Sequence, residues 1–188
     1  MTIQKILTEP NKILREKSLR VENVDKDIQR LMDDMLETLY AAPGIGLAAI
    51  QVGVAKRVIV MDISRDRDRD KDKDKDKDKE PKKNPMYFVN PEIVWKSEDK
   101  FTYEEGCLSV PNQFAEIDRS KQCHVKYTDY NGHSQKLKAD GLLSTCIQHE
   151  IDHVEGILFI DYLSKLKKEM IIKKLSKQTK ESVERIVV

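Results

Sequence analysis

Apolar residues recur at spacings of three and four in three stretches of the chain, which is the period of an amphipathic helix. The first stretch runs from about Val24 to Ala42 and stops at Pro43. The second runs from about Asp140 to near Gly156. The third spans about 164–182 and is rich in lysine outside its apolar stripe. The pattern therefore predicts three helices, of which the last is basic.

Between the first two helices the pattern becomes that of β-strands. Apolar or β-branched runs at 58–63, 86–89 and 93–95, and an alternating stretch at 123–127, predict strands. The dipeptide Asn131-Gly132 is typical of a tight hairpin, which joins antiparallel strands. We therefore predict an α+β fold in which antiparallel β-sheets surround the second helix, with the basic helix at the C-terminal end.

One segment of the chain is composed only of charged residues. From Arg65 to Glu80 basic and acidic side chains alternate, so that neither a helix nor a strand would have an apolar face to bury. We predict a mobile, solvated loop inserted between two strands. Without this insertion the composition is that of an ordinary folded protein, and 188 residues then predict a single domain over 1–188.

Charge and cysteine content narrow the classes of function. A formal net charge of +1 argues against a protein whose main task is to coat nucleic acid or an anionic membrane. The three cysteines have no disulfide-like spacing, which favours a reducing compartment. No apolar run has the length of a signal peptide or of a membrane span. We expect a cytoplasmic protein without a membrane partner.

The most specific chemical signal is the His-Glu-x-x-His motif formed by His149, Glu150 and His153. In a helix, residues four apart lie one turn apart on the same face, so both imidazoles can bind one metal ion. Glu150 then lies beside the metal, where it can transfer a proton to or from water. The alternative is a pair of helical histidines without a metal.

A catalytic metal usually has three protein ligands, so the motif requires another. Cys107 is the best candidate, because Gly106 and Pro111 predict a rigid turn that can present a thiolate. Cys146 lies on the predicted helix but is turned away from His153, and Cys123 lies in a predicted strand. Both are expected to be core side chains.

The segment 44–51, Gly-Ile-Gly-Leu-Ala-Ala-Ile-Gln, is a weaker signal. Its small residues allow a substrate backbone to come close, and the amide of Gln51 can donate a hydrogen bond to a developing oxyanion. The two glycines also suggest a phosphate loop. However, neither a Lys-Ser/Thr pair nor a third glycine follows, so we expect no nucleotide cofactor.

Together, Gly-x-Gly-Leu-Ala-Ala-x-Gln, Glu-Gly-Cys-Leu-Ser and Gln-His-Glu-x-Asp-His, in this order, resemble the motifs of the bacterial and organellar peptide deformylases. The resemblance covers nearly the whole chain except the charged insertion and the last few residues. It implies a hydrolase that removes the formyl group from the formyl-methionine of newly synthesised polypeptides. In that reaction, metal-bound water attacks the formyl carbon.

The resemblance also implies roles for individual residues and one divalent metal ion, Fe(II) in the cell, with zinc, nickel or cobalt as substitutes. It assigns metal binding to Cys107, His149 and His153, general acid/base catalysis to Glu150, and oxyanion stabilisation to the Gln51 amide and the backbone N–H of Leu108. A pocket for the methionine side chain would be formed by Ile45, Gly46, Tyr103, Leu142, Thr145 and Cys146, for which the alternative is ordinary core packing. Where many bacterial members have an arginine, this chain has Phe114.

The basic C-terminal helix has two interpretations. The resemblance implies docking on the ribosome, which supplies nascent chains, whereas a solvated helix face needs no partner. Two other functions remain open at this stage. One is a zinc endopeptidase, because such enzymes share the His-Glu-x-x-His motif. The other is a ribosome-associated homologue without catalytic activity.

Overall fold

The fold is described by a computed structural model for residues 2–64 and 83–184. The predicted mobile insertion at 65–80 lies outside the described residues, so that prediction stays untested. Within these residues the three predicted helices are present: α1 (Lys26–Ala41), α2 (Gly141–Val154) and α3 (Lys165–Glu184). Of α3, the side chains are described up to Lys177.

Seven strands form two antiparallel sheets. In chain order they are β1 (Gly46–Ala48), β2 (Val58–Met61), β3 (Met86–Lys96), β4 (Lys100–Cys107), β5 (Val110–Ser120), β6 (Gln122–Thr128) and β7 (Ser134–Asp140). The larger sheet has the order β1-β2-β3-β6-β7, and β4 and β5 form a separate two-stranded ribbon.

The four predicted runs lie in three strands, β2, β3 and β6, whereas β1, β4 and β5 were not predicted. The runs at 86–89 and 93–95 belong to a single strand, β3, which continues past Pro91. Its pairing with β6 is irregular there, and Asn90 has a positive φ of 52°. A β-bulge lets a strand continue past a residue that cannot donate a backbone hydrogen bond. The Asn131-Gly132 hairpin joins β6 to β7, as predicted.

Alternating residues of β2 explain how the larger sheet is covered on both faces. Val58 and Val60 pack with α1, whereas Ile59 and Met61 face the core that contains α2. All four side chains are buried. Because both faces of the strand are covered, its residues are all apolar and do not alternate between apolar and polar. Helix α2 is buried along most of its length, so its histidines lie inside the protein.

A third apolar cluster packs the two-stranded ribbon against the segment that follows α2 and against α3. Val110 and Ile117 of β5 pack with Leu158 and Phe159, which follow α2, and with Leu175 of α3. This single cluster thus joins the ribbon both to the segment that follows α2 and to α3. Within the described ranges, no helix is long and apolar enough to cross a membrane.

The chain leaves α2 through Gly156, which is tightly enclosed. Gly156 has a φ of 78°, and an added Cβ would lie 2.5 Å from the backbone oxygen of Arg15. Gly132 has a similar φ of 84°, but its nearest neighbour would be the Cβ of Val24 at 3.8 Å. The two glycines share the same backbone requirement and differ in the space around them.

We predict that Gly156→Ala destabilises the protein more than Gly132→Ala. Both changes carry the cost of a left-handed conformation, about 1–2 kcal/mol. The collision with Arg15 adds about 1–3 kcal/mol at position 156 alone. Urea unfolding of both variants measures the difference, and equal losses would show that the Arg15 segment moves freely.

Candidate metal centre

Helix α2 and the β4–β5 turn bring the three predicted metal ligands together. Cys107 ends β4 and pairs with Val110 across a turn formed by Leu108 and Ser109. Its Sγ lies 3.3 Å from Nε2 of His153. One donor atom from each of Cys107, His149 and His153 lies within 4.8 Å of the other two, and no other such group of three occurs among the described residues.

The donor set fits a divalent metal ion. Metal–sulfur and metal–nitrogen bonds of about 2.3 and 2.0 Å in tetrahedral geometry place neighbouring donor atoms about 3.5 Å apart. The Cys107–His153 separation matches that value. Burial and the neighbouring His149 lower the pKa of His153 well below its usual range, which favours the neutral imidazole that binds metals. One sulfur and two nitrogens suit zinc and iron alike.

The other two cysteines lie in the core, as predicted. Cys123 is fully buried among the side chains between the sheet and α2. Cys146 belongs to the same cluster and is 6% exposed. Neither takes part in the group formed by Cys107 and the two histidines.

Glu150 lies beside this group, with its carboxylate directly over β1. It is 4% exposed, and its Oε2 has no hydrogen-bond partner among the described residues. Burial raises the pKa of this carboxyl to about 7. A Cβ on Gly46 would collide with the carboxylate, so glycine is required there for the close approach of Glu150 itself.

A buried network of ion pairs holds the side chain of His149 through its Nδ1 atom. The Nδ1 of His149 lies 2.7 Å from Oε2 of Glu105, so an N–H on Nδ1 donates to the carboxylate and Nε2 is left for the metal. Arg119 binds both oxygens of Glu105 and also donates to Asp152 of α2 at 2.7 Å. Tyr162 donates to the same Asp152 carboxylate at 2.9 Å.

This network explains the charge state of Glu105. Burial would raise the pKa of Glu105, but the hydrogen bonds from His149 and Arg119 hold it below its usual value. Glu105 opens the Glu-Gly-Cys-Leu-Ser motif, but the sequence analysis gives it no role, and Arg119 lies in none of the motifs. The only available signal is the position of Glu105 two residues before Cys107, which places both side chains on the same face of a strand.

Gln51 reaches the turn that carries Cys107. Its Nε2 donates to Oγ of Ser109 at 3.0 Å and lies 3.7 Å from Sγ of Cys107. The side chain of Leu108 packs against the apolar cluster between α1 and β2. It also lies over Gly44, where an added Cβ would be 2.8 Å from Cδ1 of Leu108. The backbone of the Cys107 turn is therefore anchored on both sides.

A cleft opens beside Cys107, His149 and Glu150. Gln51 and Leu108 line it, and so do all the residues predicted for the methionine pocket: Ile45, Gly46, Tyr103, Leu142, Thr145 and Cys146. His153 is 1% exposed and lies beneath the cleft rather than on its wall. Phe114 lies at the rim and is 66% exposed, and none of the described lysines and arginines lines the cleft.

We predict that Arg119→Ala weakens both the fold and the metal site. The change leaves Glu105 buried without its cation, which costs about 3–5 kcal/mol. Loss of support for His149 lowers metal affinity by about 10–100-fold. Urea unfolding and competition with a chelator measure the two effects.

Arg57→Ala is the matched control, because Arg57 is also a buried arginine paired with a carboxylate, Glu155. Glu155 is 31% exposed and keeps Lys17 at 2.7 Å, so we expect a smaller loss of stability and unchanged metal affinity. Equal effects of the two substitutions on metal affinity would contradict a supporting role for Arg119.

Comparison with known proteins supports a family assignment. The sequence model of the polypeptide deformylase family matches residues 3–169. The peptide deformylase of Pelagibacter ubique is 66% identical over 177 residues, covering 94% of this chain and 95% of that protein. The crystal structure of the Ehrlichia chaffeensis peptide deformylase has a TM-score of 0.86 at 43% identity, covering 97% of this chain and 99% of the other.

A second crystal structure of the Ehrlichia chaffeensis enzyme, in complex with actinonin, has a TM-score of 0.83 at 43% identity and covers 95% of this chain and 98% of the other. The matches therefore extend over almost the full length of both chains, and they confirm the resemblance noted in the sequence motifs. The chain belongs to the polypeptide deformylase family.

Proposed function

We propose that this protein removes the formyl group from the N-terminal formyl-methionine of newly synthesised polypeptides by hydrolysis of the formamide C–N bond. The observation that carries the proposal is the convergence of Cys107, His149 and His153 beside the buried carboxyl of Glu150. Three of these four side chains line one open cleft. Family membership supports this activity over an endopeptidase, and the presence of all four side chains argues against a homologue without catalysis.

The arrangement of strands suggests how a peptide enters. In the described part of the chain, β1 is one of the two edge strands of the larger sheet, and β4 pairs only with β5. Residues of both strands line the cleft, so two strand edges border it. An extended peptide can add to an exposed strand edge through its backbone, independently of its side chains. This mode suits an enzyme that must accept many nascent sequences.

The methionine side chain is proposed to occupy the apolar part of the cleft. Ile45 and Leu142 provide apolar surface, while Thr145 and Cys146 come from α2 close to Glu150. Tyr103 reaches the same cleft from β4. A mainly apolar cleft with a few polar groups at one end is typical of a site that binds an apolar side chain next to a reacting group.

The proposed chemistry assigns a separate task to each residue. A divalent ion held by Cys107, His149 and His153 would supply Lewis-acid activation of water and of the formyl carbonyl. Glu150 accepts a proton from the attacking water and delivers it to the amine nitrogen as the C–N bond breaks, which releases formate. A carboxyl with a pKa of about 7 is suited to both transfers near neutral pH. The Gln51 amide and the N–H of Leu108 stabilise the developing oxyanion.

We propose Fe(II) as the ion in the cell, with zinc, nickel or cobalt able to replace it. The donor set, one thiolate and two imidazoles, supports this range because it is soft enough for each of these metals. Metal analysis of protein purified without oxygen identifies the resident ion.

We predict that Glu150→Gln retains the metal and loses the activity. The amide is close in size to the carboxyl but cannot accept and return a proton, so kcat for formate release from a formyl-methionyl tripeptide should fall about 10²–10⁴-fold. Metal content is measured on the same sample. Glu116→Gln, the same change at an exposed position of β5, serves as the control.

An active Glu150→Gln variant would contradict the role assigned to Glu150. An assay of longer peptides separates deformylation from proteolysis, because an endopeptidase would cut internal bonds. A wild-type protein that binds metal and releases no formate would refute the proposed function as a whole.

Ribosome association through α3 is a second proposal. The lysines at 167, 173 and 174 are exposed on this helix, whereas Lys168 is paired with Asp161 at 2.6 Å. Leu175 is buried in the third apolar cluster, so the helix is fixed to the protein with its charges outward. A group of exposed lysines on a fixed helix can bind the phosphates of ribosomal RNA.

We predict that replacing Lys167, Lys173 and Lys174 with glutamine weakens co-sedimentation with ribosomes. Loss of each phosphate contact should reduce the salt slope of binding by about one. The control replaces Lys126, Lys136 and Lys138 with glutamine. These lysines are exposed on β6 and β7, so the control removes the same amount of charge away from α3. Equal weakening by the two triple substitutions would contradict docking through α3.

A further inference from the structure

Gln51 is held at both ends of its amide. The backbone N–H of Ala48 donates to its Oε1 at 2.8 Å, and its Nε2 donates to Oγ of Ser109 at 3.0 Å. The N–H of Ala48 can only donate, so it identifies which end of the amide is oxygen. Gln51 is 1% exposed, and both contacts lie in the interior. Two anchors fix the plane of the amide.

Ser109 is itself immobilised by contacts at three atoms. Its side chain is fully buried, and its Oγ accepts from Gln51. Its backbone N–H donates to Sγ of Cys107 at 3.4 Å, and its backbone oxygen accepts from the N–H of Glu9 at 2.9 Å. The hydroxyl is therefore a fixed point between the segment that carries Gln51 and the turn that carries Cys107.

This arrangement directs the remaining hydrogen of the Gln51 amide. A primary amide has two N–H donors, and the hydrogen bond to Ser109 uses one of them. The second N–H donates a long hydrogen bond to Sγ of Cys107, with 3.7 Å between nitrogen and sulfur. It therefore lies at the candidate metal centre, where a substrate oxygen can replace the sulfur as its acceptor. Without the hydroxyl, the amide would keep its contact with Ala48 and the long contact with Cys107, and its buried nitrogen would lose the closer of its two acceptors.

We propose that Ser109 is a positioning residue, whose buried hydroxyl aims the second N–H of Gln51 at the oxygen of the formyl group. The proposal rests on the proposed function, in which Gln51 stabilises the oxyanion. Such donors act through preorganisation, because they contribute most when they need no reorientation during the reaction. Ser109 acts only through Gln51 and does not touch the substrate.

A double-mutant cycle tests the proposal. Removal of one oxyanion donor lowers kcat by about 10²–10³-fold, so we expect a loss of kcat of that size in Gln51→Ala. Ser109→Ala should lower kcat by about tenfold or more with KM nearly unchanged, because it leaves the donor present but misdirected. If Ser109 acts through Gln51, the double variant should be no slower than Gln51→Ala alone. Multiplied losses in the double variant, or wild-type kcat in Ser109→Ala, would overturn the proposal.

Ser144→Ala is the matched control for loss of a buried hydroxyl. Ser144 is fully buried, donates to the backbone oxygen of Ser120 at 2.9 Å and contacts Gln148, but not Gln51. We expect its kcat to stay near that of the wild type even if its stability falls. An equal loss of kcat in both serine variants would assign the effect of Ser109→Ala to general destabilisation and overturn the proposal.

Two spectroscopic measurements do not depend on activity. In the zinc-loaded protein, the side-chain amide signals of Gln51 in ¹⁵N NMR, identified by their absence in Gln51→Ala, should shift in Ser109→Ala and not in Ser144→Ala. In the cobalt-loaded protein, the sulfur-to-cobalt absorption should be the same in Ser109→Ala, because the backbone N–H to Cys107 is retained. An unchanged amide signal or a changed cobalt spectrum would overturn the proposal.

These measurements also separate the proposal from the proposed function. If the wild-type protein binds cobalt but releases no formate from formyl-methionyl peptides, the proposed function fails. The NMR comparison still shows whether Ser109 orients the amide of Gln51. If the wild type is active and the cycle is additive, only the role of Ser109 fails.

Discussion

The buried ion pair between Arg119 and Glu105 is the constraint on which the metal centre depends. Cys107 lies on the two-stranded ribbon, whereas His149 and His153 lie on α2. These are separate elements, and they can share an ion only if the ribbon is fixed against the helix. Arg119 of β5 binds Glu105 of β4 and Asp152 of α2, and Glu105 binds His149. The guanidinium of Arg119 therefore joins both strands of the ribbon to α2.

Two buried glutamates near the same histidine serve opposite purposes. Glu105 is surrounded by donors and is held as a carboxylate, which fixes the orientation of His149. Glu150 is equally buried but has an oxygen without a partner, and its pKa is raised to about 7. The difference lies in the hydrogen bonds rather than in the depth of burial, since both side chains are almost fully enclosed. A structural carboxylate and the proposed proton-transfer group thus have the same residue type.

The sequence predicted the three helices and most strands of the larger sheet, and it pointed to the three residues that the structure brings together, because each has a local signal. Strand β1 is the exception in that sheet, since its small residues carry no strand pattern. The period of α1 and α2, the β-branched run of β2 and the spacing of His149 and His153 can all be recognised within a few residues. The ribbon that carries Cys107 lacks such a signal. Strands β4 and β5 contain many charged residues, and Gly106 and Pro111 interrupt them. Apolar alternation is therefore weak where one face of a strand is solvated and the other binds charged partners.

The contacts among the supporting residues could not be predicted from sequence patterns, for a different physical reason. Arg119 meets Glu105 across the ribbon and Asp152 across the interface with α2, and neither contact has a fixed spacing in the chain. Distances of this kind depend on how the elements pack, which is decided by the apolar cluster around Val110, Ile117 and Leu158. A motif can thus identify the atoms that bind a metal, while the residues that hold those atoms in place emerge only with the tertiary structure.

The glycine-rich segment before Gln51 shows how a weak sequence signal can correspond to dense packing. Small residues there suggest room for a substrate backbone, and the segment does line the cleft. At Gly46, however, the space is taken by the carboxylate of Glu150, and at Gly44 by the side chain of Leu108. Both neighbours belong to the proposed catalytic machinery. These glycines therefore bring the proton-transfer group and the Cys107 turn close to the edge of β1, so that a peptide paired with that edge would lie within reach of both.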